Sequence, residues 1–297
     1  MARVGISLMR AHELAGGGFD GVLELACLAE RMGVDEVHFS DHLALSQTGV
    51  AGKPPEWPYD IGFDGYYEPL TALGAVAVAT QRIRLSTNVV IAPLRPALFL
   101  AKQIATLDVI SKGRVDISLG AGWQKEEFDA VNVPFEGRFG HLEEQIGACR
   151  ALWSSAPASF AGRHVNFSNL HCLPFPPQGA ALPICLGVSA SPRNFARLVR
   201  VADGWFPVVT DVAAFAADVA ALKALFVTAG RDPAQLIVRV SLPVRKPGAI
   251  SLDEEFASAA AIVAAGATIV VGNPQVTCRS KADWAPYIER LLALRQA

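Results

Sequence analysis

The sequence predicts an α/β fold, a (β/α)8 TIM barrel, on three observations. Eight short β-branched runs alternate with longer helical stretches along the whole chain, and every run is followed by a helix. The length, 297 residues, suits a barrel of about 250 residues carrying insertions. The turn after the first strand, Leu8-Met9-Arg10-Ala11-His12, lacks the G-x-G-x-x-G of a doubly wound dinucleotide fold, and Gly16-Gly17-Gly18 follows too late to supply it.

In chain order, the strand-like runs are 4–9, 36–40, 83–90, 115–120, 183–187, 204–209, 236–244 and 268–272. Helical patterns fall at 21–32, 68–80, 96–110, 141–153, 192–202, 212–229, 253–265 and 281–295. Local stops agree with this division. Ser111-Lys112-Gly113-Arg114 puts a glycine just past one helix, and Ala229-Gly230-Arg231-Asp232-Pro233 ends another with glycine followed by proline. No repeat or linker interrupts the pattern, so residues 1–297 are expected to form a single domain.

Composition narrows the function. There are 26 Lys and Arg against 28 Asp and Glu, a formal charge of -2, which supplies no basic field for nucleic acid. The longest apolar stretches, such as 259–272, fall short of the ~18 residues of a membrane span. The N-terminus lacks the apolar block of a signal peptide, so the expected location is cytoplasmic. Five cysteines, with no C-x-x-C among them, sit mostly in apolar runs as reduced, buried thiols would.

Two segments, about 43–67 and 156–182, exceed ordinary barrel loops. Both are placed after strands, the second and the fourth, and therefore on the face where barrel enzymes do chemistry. The first carries Trp57, Tyr59, Phe63, Tyr66 and Tyr67, and reads either as an aromatic lid or as an inert flap. The second, with Phe160, His164, Phe167 and Pro174-Phe175-Pro176-Pro177, is expected to pack on the barrel as scaffold.

Several chemistries are excluded. Gly187-Val188-Ser189-Ala190-Ser191 lacks the last glycine of a G-x-S-x-G elbow, and no histidine follows it, since the last in the chain is His171. His12-Glu13 does not continue to H-E-x-x-H, and no G-x-x-x-x-G-K-[ST] is present. His38, Asp41 and His42 are the clustered candidates for metal ligands. On an unbroken strand His38 and His42 would share a face and Asp41 would point away, so no metal site is expected. What remains is Ser40-Asp41-His42 at the end of the second strand. Histidine is the side chain best suited to exchange a proton under neutral conditions, and Asp41 can orient a ring or accept a hydrogen bond. Equally, Asp41 can cap the turn while His42 packs beneath the long loop.

With these residues in place, a family likeness emerges. Phe39-Ser40-Asp41-His42, Tyr67-Glu68-Pro69-Leu70 and Thr80-Gln81-Arg82-Ile83-Arg84-Leu85-Ser86-Thr87-Asn88-Val89-Val90 resemble the luciferase-like monooxygenase superfamily, specifically its branch dependent on the deazaflavin coenzyme F-420. Lys102-Gln103-Ile104-Ala105-Thr106-Leu107-Asp108, Ser111-Lys112-Gly113-Arg114, Gly120-Ala121-Gly122-Trp123, Glu126-Glu127-Phe128 and Ala202-Asp203-Gly204-Trp205 follow in the same order. The likeness covers about residues 3–210.

The resemblance implies a cofactor seated at the C-terminal ends of the strands, with His42 catalytic beside the reacting ring and Asp41 helping to bind it. It assigns Thr87, Asn88 and Val89 to a bulge behind the ring and implies a cis Asn88–Val89 peptide. Gly187, Val188, Ser189, Ala190 and Ser191 should take the phosphate, because a strand ending before a helix N-terminus offers free N–H groups; Ser191 can also cap that helix, with Pro192 at its first position. Arg138 matches a phosphate-contacting arginine of some members. A second arginine, used by luciferase itself, corresponds to Ala121. Glu127 matches an acidic position near the ring, yet reads more simply as a helix-start carboxylate. Trp123 either walls the pocket or fills the core.

The implied activity is hydride transfer between F-420 and a small-molecule substrate, with His42 giving or taking the accompanying proton. The deazaflavin lacks the ring nitrogen that supports oxygen chemistry. Two alternatives stand beside it: an FMN-dependent monooxygenase of the same fold, and a flavin- or deazaflavin-binding protein without catalysis. The resemblance also implies a homodimer.

Overall fold

The computed structural model describes residues 2–50 and 66–296. Its strands are β1 (Arg3–Ser7), β2 (Glu36–Phe39), β3 (Arg84–Thr87), β4 (Val90–Ile91), β5 (Val115–Gly120), β6 (Ala158–Ala161), β7 (Asn166–Leu170), β8 (Ile184–Gly187), β9 (Gly204–Trp205), β10 (Ile237–Ser241) and β11 (Ile269–Gly272). All but β6 and β7 join one parallel sheet in the order β3-β2-β1-β11-β10-β9-β8-β5-β4, which closes because β3 also pairs with β5. As β3 and β4 share one position, this is an eight-stranded barrel.

The barrel strands are largely buried on both faces, because helices cover the outside and side chains fill the inside. The helix Asp20–Met32 shows the outer layer: Val22, Leu25, Ala26 and Ala29 recur at helical spacing, are buried against the sheet, and Gly33 closes the helix with φ 94°. Among the described residues no helix is long and apolar enough to cross a membrane.

Inside the barrel the sequence places charge. Arg239 on β10 is fully buried and donates from Nη2 to Glu36 Oε2 at 3.0 Å and from Nη1 to Ser118 Oγ at 2.8 Å. Its Nη2 also lies 3.0 Å from Asp116 Oδ1. Burial alone would raise the Glu36 carboxyl; Arg239, His38 and Arg3 together outweigh it and hold the group well below its ordinary range. The buried His38 ring beside Glu36 is pushed down by desolvation and stays neutral. Gly5 makes room for that ring, since a Cβ there would sit 2.6 Å from His38 Nε2.

Three local expectations change. The predicted third strand, 83–90, is two strands, with the cis Asn88–Val89 peptide that the resemblance implied lying between Thr87 and Val90. The predicted helix over 253–265 is two short ones, Leu252–Phe256 and Ala259–Ala264. The segment 156–182 leaves the end of helix Arg138–Ser154, not the end of a strand, so it enters the barrel's opposite end. There β6 and β7 form an antiparallel hairpin that runs back along the outside of that helix. It does pack as scaffold: Val165 joins Ala97 and Ala148 in a buried cluster with Phe160 and Phe167 against it, and Lys102 Nζ donates to the Leu173 carbonyl.

Candidate active site

The end of β2 delivers Asp41 and His42 to the barrel mouth, and the two side chains part there. His42 is buried, and its Nδ1 lies 2.9 Å from Glu127 Oε2. The other oxygen of Glu127 accepts the N–H groups of Leu43 at 2.8 Å and Ala44 at 3.3 Å. Glu127 is itself buried, in the short helix Lys125–Ala130 after β5. Its neighbour Gln124 accepts from Ser46 N–H at 2.9 Å and donates to the Ala44 carbonyl at 2.7 Å. The rings of Tyr66 and Trp123 meet the imidazole edge-on, with centroids at 5.3 and 5.4 Å. Trp123 thus packs beside His42.

Asp41 turns to Arg95. Arg95 Nη1 donates to Oδ2 at 2.6 Å and Nη2 to Oδ1 at 3.0 Å, a bidentate pair, and Ile91 N–H donates to Oδ2 at 2.8 Å. Arg95 Nη2 also reaches Glu68 Oε1 at 2.9 Å, while Glu68 Oε2 caps helix Pro69–Ala79 through Thr71 N–H. Burial acts to lower the Arg95 guanidinium, but the carboxylates of Asp41 and Glu68 outweigh it and raise it. The Asp41 carboxylate is therefore committed to the protein, and shapes the mouth through Arg95 and β4.

The bulge between β3 and β4 lies next to this latch. Asn88 N–H donates to Phe39 O at 2.7 Å, and Thr87 Oγ1 donates to Ser118 O at 2.6 Å. Val89 lies against Gly120 and Gly187, which face each other across β5 and β8. A Cβ on either glycine would come within 2.6 or 2.8 Å of a Val89 methyl, so the two strand ends must be bare for the bulge to fit.

Beyond Gly187, the Val188 carbonyl accepts Trp205 Nε1–H at 2.9 Å and the Ser189 carbonyl accepts Asn194 Nδ2–H at 2.9 Å. Ser191 Oγ caps helix Pro192–Val201 through Asn194 N–H at 3.2 Å. Among the described residues the N–H groups of Ser189, Ala190 and Ser191 find no acceptor in the protein, and Ser189 and Ala190 are exposed. Capping and a row of open donors coexist here. Arg138, the first residue of its helix, donates from Nε to Gly122 O at 3.1 Å and lies over the Phe135 ring at 3.8 Å. Desolvation acts to lower its guanidinium.

A family model described as luciferase-like monooxygenase matches residues 3–289 of this sequence. The chain belongs to the luciferase-like monooxygenase family. An uncharacterized protein of Mycobacterium tuberculosis is 33% identical over 272 residues, covering 90% of this chain and 91% of that one. Among solved structures, monooxygenase RslO1 from Streptomyces bottropensis superposes with TM-score 0.79 at 20% identity, covering 99% of this chain and 100% of that chain. The coenzyme F420-dependent tetrahydromethanopterin reductase of Methanopyrus kandleri does so with TM-score 0.74 at 18% identity, covering 98% and 97%. These two share the luciferase-like fold with this chain.

Of the sequence candidates, His42, Thr87, Asn88, Val89 and the 187–191 loop come together at the mouth of this luciferase-like barrel, with Arg138 at its rim. His38, Asp41 and His42 face three different partners: Glu36, Arg95 and Glu127. The proposed lid residues Trp57, Tyr59 and Phe63 lie outside the described residues. Sequence reasoning passed over Glu127, whose place at a helix start suggested a cap; its side chain instead serves the imidazole and the loop after β2. It also passed over Arg95 and Gln124, which no local pattern marks.

Proposed function

We propose that this protein is an oxidoreductase that binds the deazaflavin F-420 at the barrel mouth and passes a hydride between it and a small organic substrate. The observation that carries the reading is the buried His42–Glu127 pair at the strand ends. Glu127 orients the imidazole through Nδ1, and on this reading His42 exchanges the proton with substrate. Tyr66 and Trp123 keep water from the ring and present an apolar edge to the substrate.

The residues present fit such a cofactor. Bare glycines at 120 and 187 let Val89 seat at the strand ends, where the ring would rest against it. The open N–H groups of Ser189, Ala190 and Ser191, at the start of a ten-residue helix, suit a phosphate. Arg138 would add charge at the rim. When bound, F-420 supplies two-electron hydride chemistry; His42 supplies the proton, and Asp41 holds the wall through Arg95.

The family description and the RslO1 likeness favour a second reading, reduced FMN with oxygen as a monooxygenase, in which His42 and Trp123 would shape the oxygen site. Ala121, at the position of luciferase's arginine, argues against luciferase-like phosphate binding. Titration of the purified protein with F-420 and with FMN separately, followed by ligand fluorescence, tests the choice. Saturable F-420 binding with weak FMN binding supports hydride transfer. The reverse result moves the protein to the FMN monooxygenases.

A further inference from the structure

On the flank of the barrel a cavity of about 390 Å3 opens between the first turns of helices Arg138–Ser154 and Pro192–Val201, under the turn of the β6–β7 hairpin. Its walls are cationic. Arg193, Arg197 and Arg200 come from the second helix and Arg163 from the hairpin turn, against one carboxylate, Glu143. Glu143 is shared by Arg197, at 3.3 Å, and Arg200, at 2.6 Å. Among the described residues Arg163 and Arg193 have no ion-pair partner.

The turn that carries Arg163 is held in place. Glu144 accepts the backbone N–H groups of Arg163 at 3.0 Å, His164 at 2.6 Å and Val165 at 3.0 Å. The His164 ring stacks on His141 at 5.3 Å, so the hairpin tip is fastened to the helix from two sides. Two guanidiniums without ion-pair partners around a concave space repel each other and favour an anion between them. The cavity also begins where the 187–191 loop ends, because Arg193 lies two residues past the cap Ser191.

We propose that this cavity is an anion subsite that receives carboxylates continuing beyond the cofactor phosphate. The inference rests on the reading above, with the phosphate at residues 187–191. F-420 carries an oligoglutamate tail past its phosphate, whereas FMN ends there, so Arg163 and Arg193 select the tailed cofactor.

The test is binding of three ligands, F-420, the same deazaflavin ending before its first glutamate, and FMN, to the wild-type protein and to R163A/R193A, read by ligand fluorescence. Both side chains are exposed, so the variant keeps the fold. A control, R31A/K223A, removes the same charge from exposed positions elsewhere. The expected result is a tail preference of about tenfold in wild type and control that disappears in R163A/R193A. Equal binding of both deazaflavins to wild type, or a preference that survives in R163A/R193A, overturns the subsite alone. Binding of FMN with neither deazaflavin overturns the F-420 reading, and the subsite with it. Free citrate lost by R163A/R193A, without any effect of tail length, assigns the cavity to a separate anion and also overturns the proposal.

Discussion

His42 Nδ1 and Glu127 Oε2 lie 2.9 Å apart although 85 residues separate them in the chain. The two come from loops after different barrel strands, so the pair exists only in the closed barrel. On the proposed reading Glu127 orients the ring and His42 carries the proton. His42→Ala should lower turnover about 10²-fold or more, and Glu127→Gln about 10- to 100-fold, because the amide can still bond Nδ1 without stabilising a protonated ring. The double variant should be no slower than His42→Ala, as expected of residues acting as one unit. Steady-state rates of the three variants check this, and additive losses would separate the two roles.

Arg95 should matter to stability more than to chemistry. It is buried, binds Asp41 through both oxygens, and is the group that offsets the burial of that carboxylate. Arg95→Met leaves Asp41 charged and unpaired, at a cost of about 3–5 kcal/mol. Arg95→Lys should recover only part of this, because an ammonium cannot span both oxygens and reach Glu68 as well. Urea denaturation of the three proteins measures the difference, and an Arg95→Met midpoint equal to wild type would refute it.

The fit of Val89 over Gly120 gives a packing prediction with its own rescue. A Cβ at position 120 would stand 2.6 Å from Val89 Cγ2, so Gly120→Ala should destabilise by about 1–3 kcal/mol and weaken cofactor binding. Adding Val89→Ala removes the clash and should restore most of the stability. Thermal denaturation of both variants tests it; a double variant less stable than Gly120→Ala would mean the clash is not the cause.

Glu144 sets an acid limit on the hairpin tip. Burial acts to raise its carboxyl, but the N–H groups of His164, Val165 and Arg163 outweigh that and hold it below its ordinary value. A group depressed in the folded protein contributes stability above the ordinary carboxylate range and loses it as pH falls through the lower folded value. Hydrogen exchange at Arg163, His164 and Val165 should therefore accelerate, relative to the barrel strands, only at acidic pH. Glu144→Gln should show that acceleration at neutral pH as well.

The barrel was legible because its strands are apolar runs of distinct length, and the helices between them keep their spacing; β5 falls on 115–120 as read. His42 was legible through the motif around it. Glu127 was not, because an acid at a helix start already has a local explanation, and its true partner is set by closure of the barrel. The break after Thr87 was legible only through the resemblance, which implied the bulge and its cis Asn88–Val89 peptide; Ser86-Thr87-Asn88-Val89-Val90 has strand composition throughout, so no apolar rhythm marks the point where the ladder stops. The hairpin's side of the barrel was misplaced because a long segment was counted from the preceding strand instead of from the helix between.

Arg95 has one more consequence. The insertion over 43–67 begins two residues after Asp41 and ends one residue before Glu68, and both carboxylates grip the same guanidinium. Its two ends are stapled at the stem before any of its own residues are considered. Closing a loop across fixed ends costs only slowly more as the loop lengthens. A change in the length of that segment therefore adds little closure cost, provided that Asp41, Arg95 and Glu68 keep the stem and that Leu43, Ala44, Ser46 and Tyr66 keep their places beside Glu127, Gln124 and His42.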